Sequence, residues 1–83
     1  MLTRLTEADK NARIVGARQV LRALATGPVA VVYLAGDADL FVTRPVRELC
    51  REKNIAVLDA PSMLALGQAC GIQVGTAAAA IRK

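Results

Sequence analysis

Arg18 and Arg22 stand four residues apart with Gln19 beside them, and on a helix all three project from one side. A guanidinium grips phosphate or a guanine edge through paired hydrogen bonds, and an amide reads a base edge as donor and acceptor at once. Gly16 and Ala17 come just before, so the trio falls in the first turns of a helix. There, unpaired N–H groups and the positive dipole end already favour anions. The chemistry offered is capture of a polyanion. An ordinary solvated helix face would carry the same residues, and an R-Q-x-x-R spacing alone does not choose between the two.

Other chemistries find less support. The chain has no histidine, which removes the usual general base near neutral pH. Asp37 and Asp39 are spaced for a metal or acid–base pair, but aspartates in a strand-to-helix turn more often bind local main chain. Gly71-Ile72-Gln73-Val74-Gly75 lacks the spacing and the Lys-Ser/Thr ending of a phosphate loop, and it precedes a predicted strand instead of a helix. Arg47 and Arg51 near Cys50 would lower its pKa, yet Cys50 lies on an apolar stripe and reads as a structural thiol. Cys50 and Cys70 together supply only two ligands, too few for zinc. The chain is expected to be no enzyme and to hold neither metal nor cofactor.

The elements that must position these groups follow from periodicity. Leu2–Asn11 is expected to form a short opening helix, and Ile14-Val15 is a brief strand ending at Gly16. A helix over Ala17–Thr26 places Ala17, Val20, Leu21 and Leu24 on one face and stops at Gly27-Pro28. The β-branched run Val29–Leu34 predicts a buried central strand. Thr43 is expected to cap the next helix, with Pro45 in its first turn, Val46, Leu49 and Cys50 inward, and Lys53 ending that stripe with its head in water. Ile55–Leu58 is expected to be a second buried strand, and Ser62 to cap a helix closed by Gly71. Ala77–Ile81 would prefer a helix by propensity, but is read as a strand beneath a helix, where small side chains are needed. Together these predict a single-domain, three-layer α/β/α sandwich over residues 1–83 with a small mixed four-stranded sheet.

Composition narrows the partners. Hydrophobic residues make up 54% of the 83, enough for a compact core. Neither a membrane-length apolar run nor a secretory leader is present in the sequence, so no membrane partner and a cytoplasmic location are expected. The formal charge of +4 is unevenly placed. Acidic residues are missing from Lys10 to Gly36 and again from Ala60 to Lys83. If those segments share a face, that face attracts polyanions; ordinary solubilising charge is the alternative. With Tyr33 in a buried strand and Phe41 beside a turn, no platform exists for stacking successive bases, which disfavours single-strand binding.

Three segments carry a resemblance. Gly16–Leu24 looks like the G-T-N-E-x-x-K signature of the kink-turn-binding ribosomal-protein family (the L-seven-Ae type). Val31–Asp39 is similar to that family's strand and D-x-D/E turn, and Leu66–Ile72 resembles its L-G-x-A-C/A-G segment. The likeness runs from about Lys10 to Ile81 and is strongest to small bacterial members.

The resemblance implies an α/β/α sandwich that binds kink-turns, in which a bulge and tandem sheared G·A pairs bend an RNA helix. It implies that Gly16, Ala17, Arg18, Gln19 and Arg22 face the G·A pairs and nearby phosphates, and that Asp39 helps hold an extruded nucleotide. Ile72, Gln73, Val74, Gly75 and Thr76 would form a loop against bulged bases, with Lys10 and Arg13 as accessory cations. Arg18 for the family's Asn, Gln19 for its Glu and Gly75 for Pro are departures that bear on RNA preference and loop flexibility. A monomer acting on ribosomal RNA, the ribosome or a riboswitch is expected. A protein-interaction module of the translation machinery with the same fold is the alternative.

Overall fold

Asp9, Asp39 and Ser62 each offer a side-chain oxygen to a main-chain N–H two or three residues on, and each marks the start of a helical segment. The computed structural model describes residues 2–83. Along them run α1 (Thr3–Glu7), a 3-10 turn (Lys10–Ala12), β1 (Arg13–Val15), α2 (Ala17–Thr26), β2 (Val29–Ala35), α3 (Leu40–Glu52), β3 (Ala56–Ala60), α4 (Met63–Ala69) and β4 (Ala78–Arg82). The strands form one mixed sheet in the order β1-β4-β2-β3. β4 is antiparallel to both of its neighbours, and β2 is parallel to β3. Helices α2 and α3 cover one face and α1 and α4 the other, which is the expected three-layer sandwich.

The alanines of β4 show why a helix-favouring run becomes a central strand. Ala78, Ala79 and Ala80 are wholly buried. Ala78 and Ala80 join Val20, Val32 and Val46 beneath α2 and α3, while Ala79 joins Tyr33, Leu66 and Cys70 on the opposite face. Across the ladder Ala79 faces Tyr33 and Ala80 faces Val32, so small side chains oppose large ones and both helical layers can close. Burying Val32 and Leu34 contributes about 1.5–3 kcal/mol each, more than the few tenths of helix propensity the alanines give up.

Two expected boundaries are corrected. α3 begins at Leu40, because the Asp39 carboxylate accepts the Phe41 N–H at 2.8 Å. Thr43, expected as the cap, is buried on the inner face of that helix. Pro45 consequently falls inside α3 and deprives the Phe41 carbonyl of its usual partner. β3, expected as a buried strand at Ile55–Leu58, is instead an edge strand at Ala56–Ala60 that pairs only with β2. Its Ala56, Leu58 and Asp59 are exposed.

The two thiols are free and buried on opposite faces of the sheet, Cys50 with α2 and α3, Cys70 with α1 and α4. Burial pushes both up from their ordinary pKa and outweighs the lowering by Arg47 near Cys50 and Arg13 near Cys70. Alkylation at neutral pH is therefore expected to be slow in the native protein and fast in denaturant, as thiol-quench mass spectrometry would show. No helix among the described residues is long and apolar enough to cross a membrane.

Candidate nucleic-acid interface

The topology gathers three helix starts at one end of the sheet. β1, β2 and β3 all point the same way, since β1 and β2 are each antiparallel to β4 and β3 is parallel to β2. Each runs straight into a helix, so the N-termini of α2, α3 and α4 meet beyond the strands' carboxyl ends, where open α/β sheets bind ligands. β4 enters from the same end, which brings the 72–76 loop there as well. The Gly16 N–H donates to the Ala78 carbonyl at 2.9 Å, and the Ala35 N–H to that of Ala77 at 2.9 Å. The first and last thirds of the chain thus share this end.

The three helix starts differ in how their N–H groups are used. Asp39 caps α3, and Ser62 caps α4 by accepting the Ala65 N–H at 3.0 Å. Asp37 reaches across to accept the Met63 N–H at 2.7 Å. These aspartates therefore bind main chain, one of them far off in sequence. At α2 the cap position is Gly16, which supplies no side-chain acceptor. Its φ of +100° suits glycine, and an added Cβ would lie 2.5 Å from the Gln19 amide oxygen, so that side chain folds back over the turn. Beside these open N–H groups stand the exposed Arg18, Gln19 and Arg22. Ala17 packs partly into the core.

The loop splits between surface and core. Val74 is 67% exposed, and Gln73 and Gly75 are also exposed. Ile72 packs partly against the α1/α4 core. Thr76, expected to face RNA, is buried instead: its hydroxyl donates to the Ala78 carbonyl at 3.0 Å. The loop is clipped to α4 at both ends, by the Ile72 N–H on the Gly67 carbonyl and the Thr76 N–H on that of Met63, each at 3.1 Å. Gly75 lies where a Cβ would come within 3.1 Å of the Met63 side chain. Glycine therefore serves close packing against Met63 here.

Of the expected accessory cations, Lys10 lies away from this end, while Arg13 lines a groove shared with Gln19 and Arg22. Lys10 precedes β1 and lies toward the opposite end of the sheet. Arg13 clasps the fold: its Nε donates to the Leu5 carbonyl at 3.1 Å, Nη1 to that of Cys70 at 3.2 Å and Nη2 to that of Thr6 at 2.6 Å. One guanidinium so ties α1 and the end of α4 to β1, which gives Arg13 a structural role.

Sequence reasoning missed Phe41. At the second position of α3 it is 90% exposed, and with Leu40 and Arg44 it lines a shallow apolar depression of about 210 Å³. Its signal was Asp39, since capping there turns Leu40 and Phe41 into the first residues of a helix at this end. Among the described residues the only ion pair is Arg47–Asp59 at 3.0 Å, exposed and worth little. Arg18 and Arg22 make none.

The model of the ribosomal protein L7Ae/L30e/S12e/Gadd45 family matches residues 2–83. An RNA-binding protein of Caldanaerobacter subterraneus subsp. tengcongensis is 46% identical over 68 residues, covering 82% of this chain and 83% of the relative. The RNA-binding protein YbxF of Geobacillus stearothermophilus is 44% identical over 68 residues, with the same coverages of 82% and 83%. Among solved structures, the Giardia lamblia 15.5kD RNA binding protein superposes with a TM-score of 0.90 at 30% identity, covering 99% of this chain and 70% of that one.

Proposed function

Since this chain belongs to the ribosomal protein L7Ae/L30e/S12e/Gadd45 family, we propose that it is an RNA-binding protein whose ligand is a kink-turn in ribosomal or structured regulatory RNA. The observation that carries this reading is the uncapped start of α2, with Arg18, Gln19 and Arg22 beside it, sharing one end of the sandwich with the exposed Val74 loop. Relatives named as RNA-binding proteins support the class of ligand.

In this reading Arg18 and Arg22 take phosphates or guanine edges of the bent stem, and the α2 N–H groups add a site for one phosphate. Gln19 reads the sheared G·A edges with an amide that donates and accepts. Val74 packs on bases unstacked at the bulge. Asp39 keeps one carboxylate oxygen on its helix cap and turns the other to the extruded nucleotide. The protein works by shape and contact, without catalysis, as a cytoplasmic monomer.

Substitutions at Arg22 and Gln19 separate the roles. Arg22→Ala is expected to weaken all folded RNAs similarly and to reduce the salt slope by about one unit. Gln19→Ala should leave that slope alone and lose selectivity for sheared G·A pairs. The loss should be about 1 kcal/mol, the low end for a base contact because Gln19 is solvent-exposed. Fluorescence anisotropy titrations across a salt series measure both quantities. Equal changes of slope and selectivity in the two variants would refute this division of labour.

A further inference from the structure

A second feature of α2 lies outside the end described above. Gln19, Arg22, Ala23 and Thr26 form one stripe down the helix, and with Arg13, Ile14 and Arg82 they line an open groove of about 450 Å³ beside edge strand β1, the Arg13 donors being taken by main-chain carbonyls. The stripe covers about 10 Å from Gln19 to Thr26. It ends at Arg82, which pairs with Val29 at the far end of β4, away from the α2 start. The β4 side chains alternate, with Ala78 and Ala80 toward α2. Arg82 follows that alternation onto the α2 side.

The charge of this groove is one-sided. Arg22 and Arg82 are exposed, and neither takes part in an ion pair among the described residues. No acidic residue occurs from Lys10 to Gly36 or from Ala60 to Lys83, the two segments that form the groove. Arg22 midway along the groove and Arg82 at its far end, with no carboxylate in either segment, suit phosphates along one strand.

We propose that this groove is a phosphate track for one of the two stems flanking the kink, with Arg82 as its distal contact. The proposal rests on the kink-turn reading and extends it, because Arg22 belongs to both regions and fixes where the stem leaves the α2 start. An RNA confined to the kink would reach Arg18, Gln19 and Arg22; only RNA with a full stem would run down the groove to Arg82.

The test uses the full chain and kink-turn RNAs whose two stems are shortened one at a time. Arg82→Gln is expected to weaken binding of the full-length RNA three- to tenfold and to lower the salt slope by roughly 0.7–0.9, one phosphate contact. Shortening one stem, and not the other, should abolish the difference between parent and variant. Arg82→Lys should retain most of the affinity, and thermal melting should be unchanged because Arg82 is exposed. A variant that binds every RNA as the parent does overturns the track. So does equal weakening with either stem shortened, which would make Arg82 a source of general attraction only. Failure of the parent to prefer the kink-turn would instead overturn the underlying reading, and the track with it.

Discussion

Val74→Asp is expected to weaken kink-turn binding ten- to a hundredfold, about 1.4–2.7 kcal/mol, with a melting temperature within a few degrees of the parent's. Val74 is 67% exposed while the loop around it is clipped to α4 by hydrogen bonds at Ile72 and Thr76. Those anchors are main-chain groups, so the substitution leaves them in place. An apolar side chain held outward on a fixed loop has its use in contact with something apolar. Unstacked bases supply such a surface. A carboxylate there would forfeit that contact and face phosphate at close range, and the two losses would add. Anisotropy titration with circular dichroism on the same samples reads binding and fold together. Unaltered binding would remove the loop from the site.

Gly67→Ala should destabilise the protein by about 1–3 kcal/mol, although alanine in a helix normally stabilises by 0.5–1 kcal/mol relative to glycine. The sign inverts because Gly67 is fully inside α4 with the loop laid across it. A Cβ there would clash with the Val74 carbonyl oxygen, and would lie 3.0 Å from the Val74 carbonyl carbon and 3.2 Å from the Gly75 Cα. These are main-chain atoms and cannot rotate away. The loop must lift, which strains the Ile72 and Thr76 anchors and moves Val74. We expect a melting temperature lower by roughly 5–20 °C and, at temperatures where the variant remains folded, weaker RNA binding. A stability equal to or above the parent's would mean that the loop does not rest on α4.

Together these substitutions treat the loop as a rigid part of the site, a property its sequence conceals. Gly75 in place of proline suggests freedom when only local chain is considered. The packing of Gly67 and Gly75 against neighbouring main chain is a tertiary fact that local chain does not reveal. Thr76 is similar: a threonine in a polar loop suits the surface, until its hydroxyl is found on the Ala78 carbonyl inside the sheet. Arg13 read as one more cation in an acid-free stretch, yet the carbonyls of Leu5, Thr6 and Cys70 claim its donors.

Local rules served better for the framework. Ser62 and Gly71 bounded α4 because caps act within a few residues. Small side chains in Ala77–Ile81 marked a strand between helices, since close layers exclude larger groups. Where two caps compete, as Asp39 and Thr43 do, local preference does not decide; the burial of Thr43 does. The misplaced burial of β3 has a similar origin, because edge and centre are properties of the sheet. The end-on gathering of α2 with the 72–76 loop was legible only through motif resemblance, and strand direction supplies its physical cause.

The most direct test of the account compares one RNA with itself. The parent chain is titrated with a kink-turn and with the same RNA in which the sheared G·A pairs are replaced by Watson–Crick pairs, at one salt concentration. Each lost base contact is worth roughly 1–3 kcal/mol, so the kink-turn should bind at least thirtyfold more tightly, about 2 kcal/mol. Equal affinities for the two RNAs would contradict it, leaving a basic surface that attracts RNA without reading the kink.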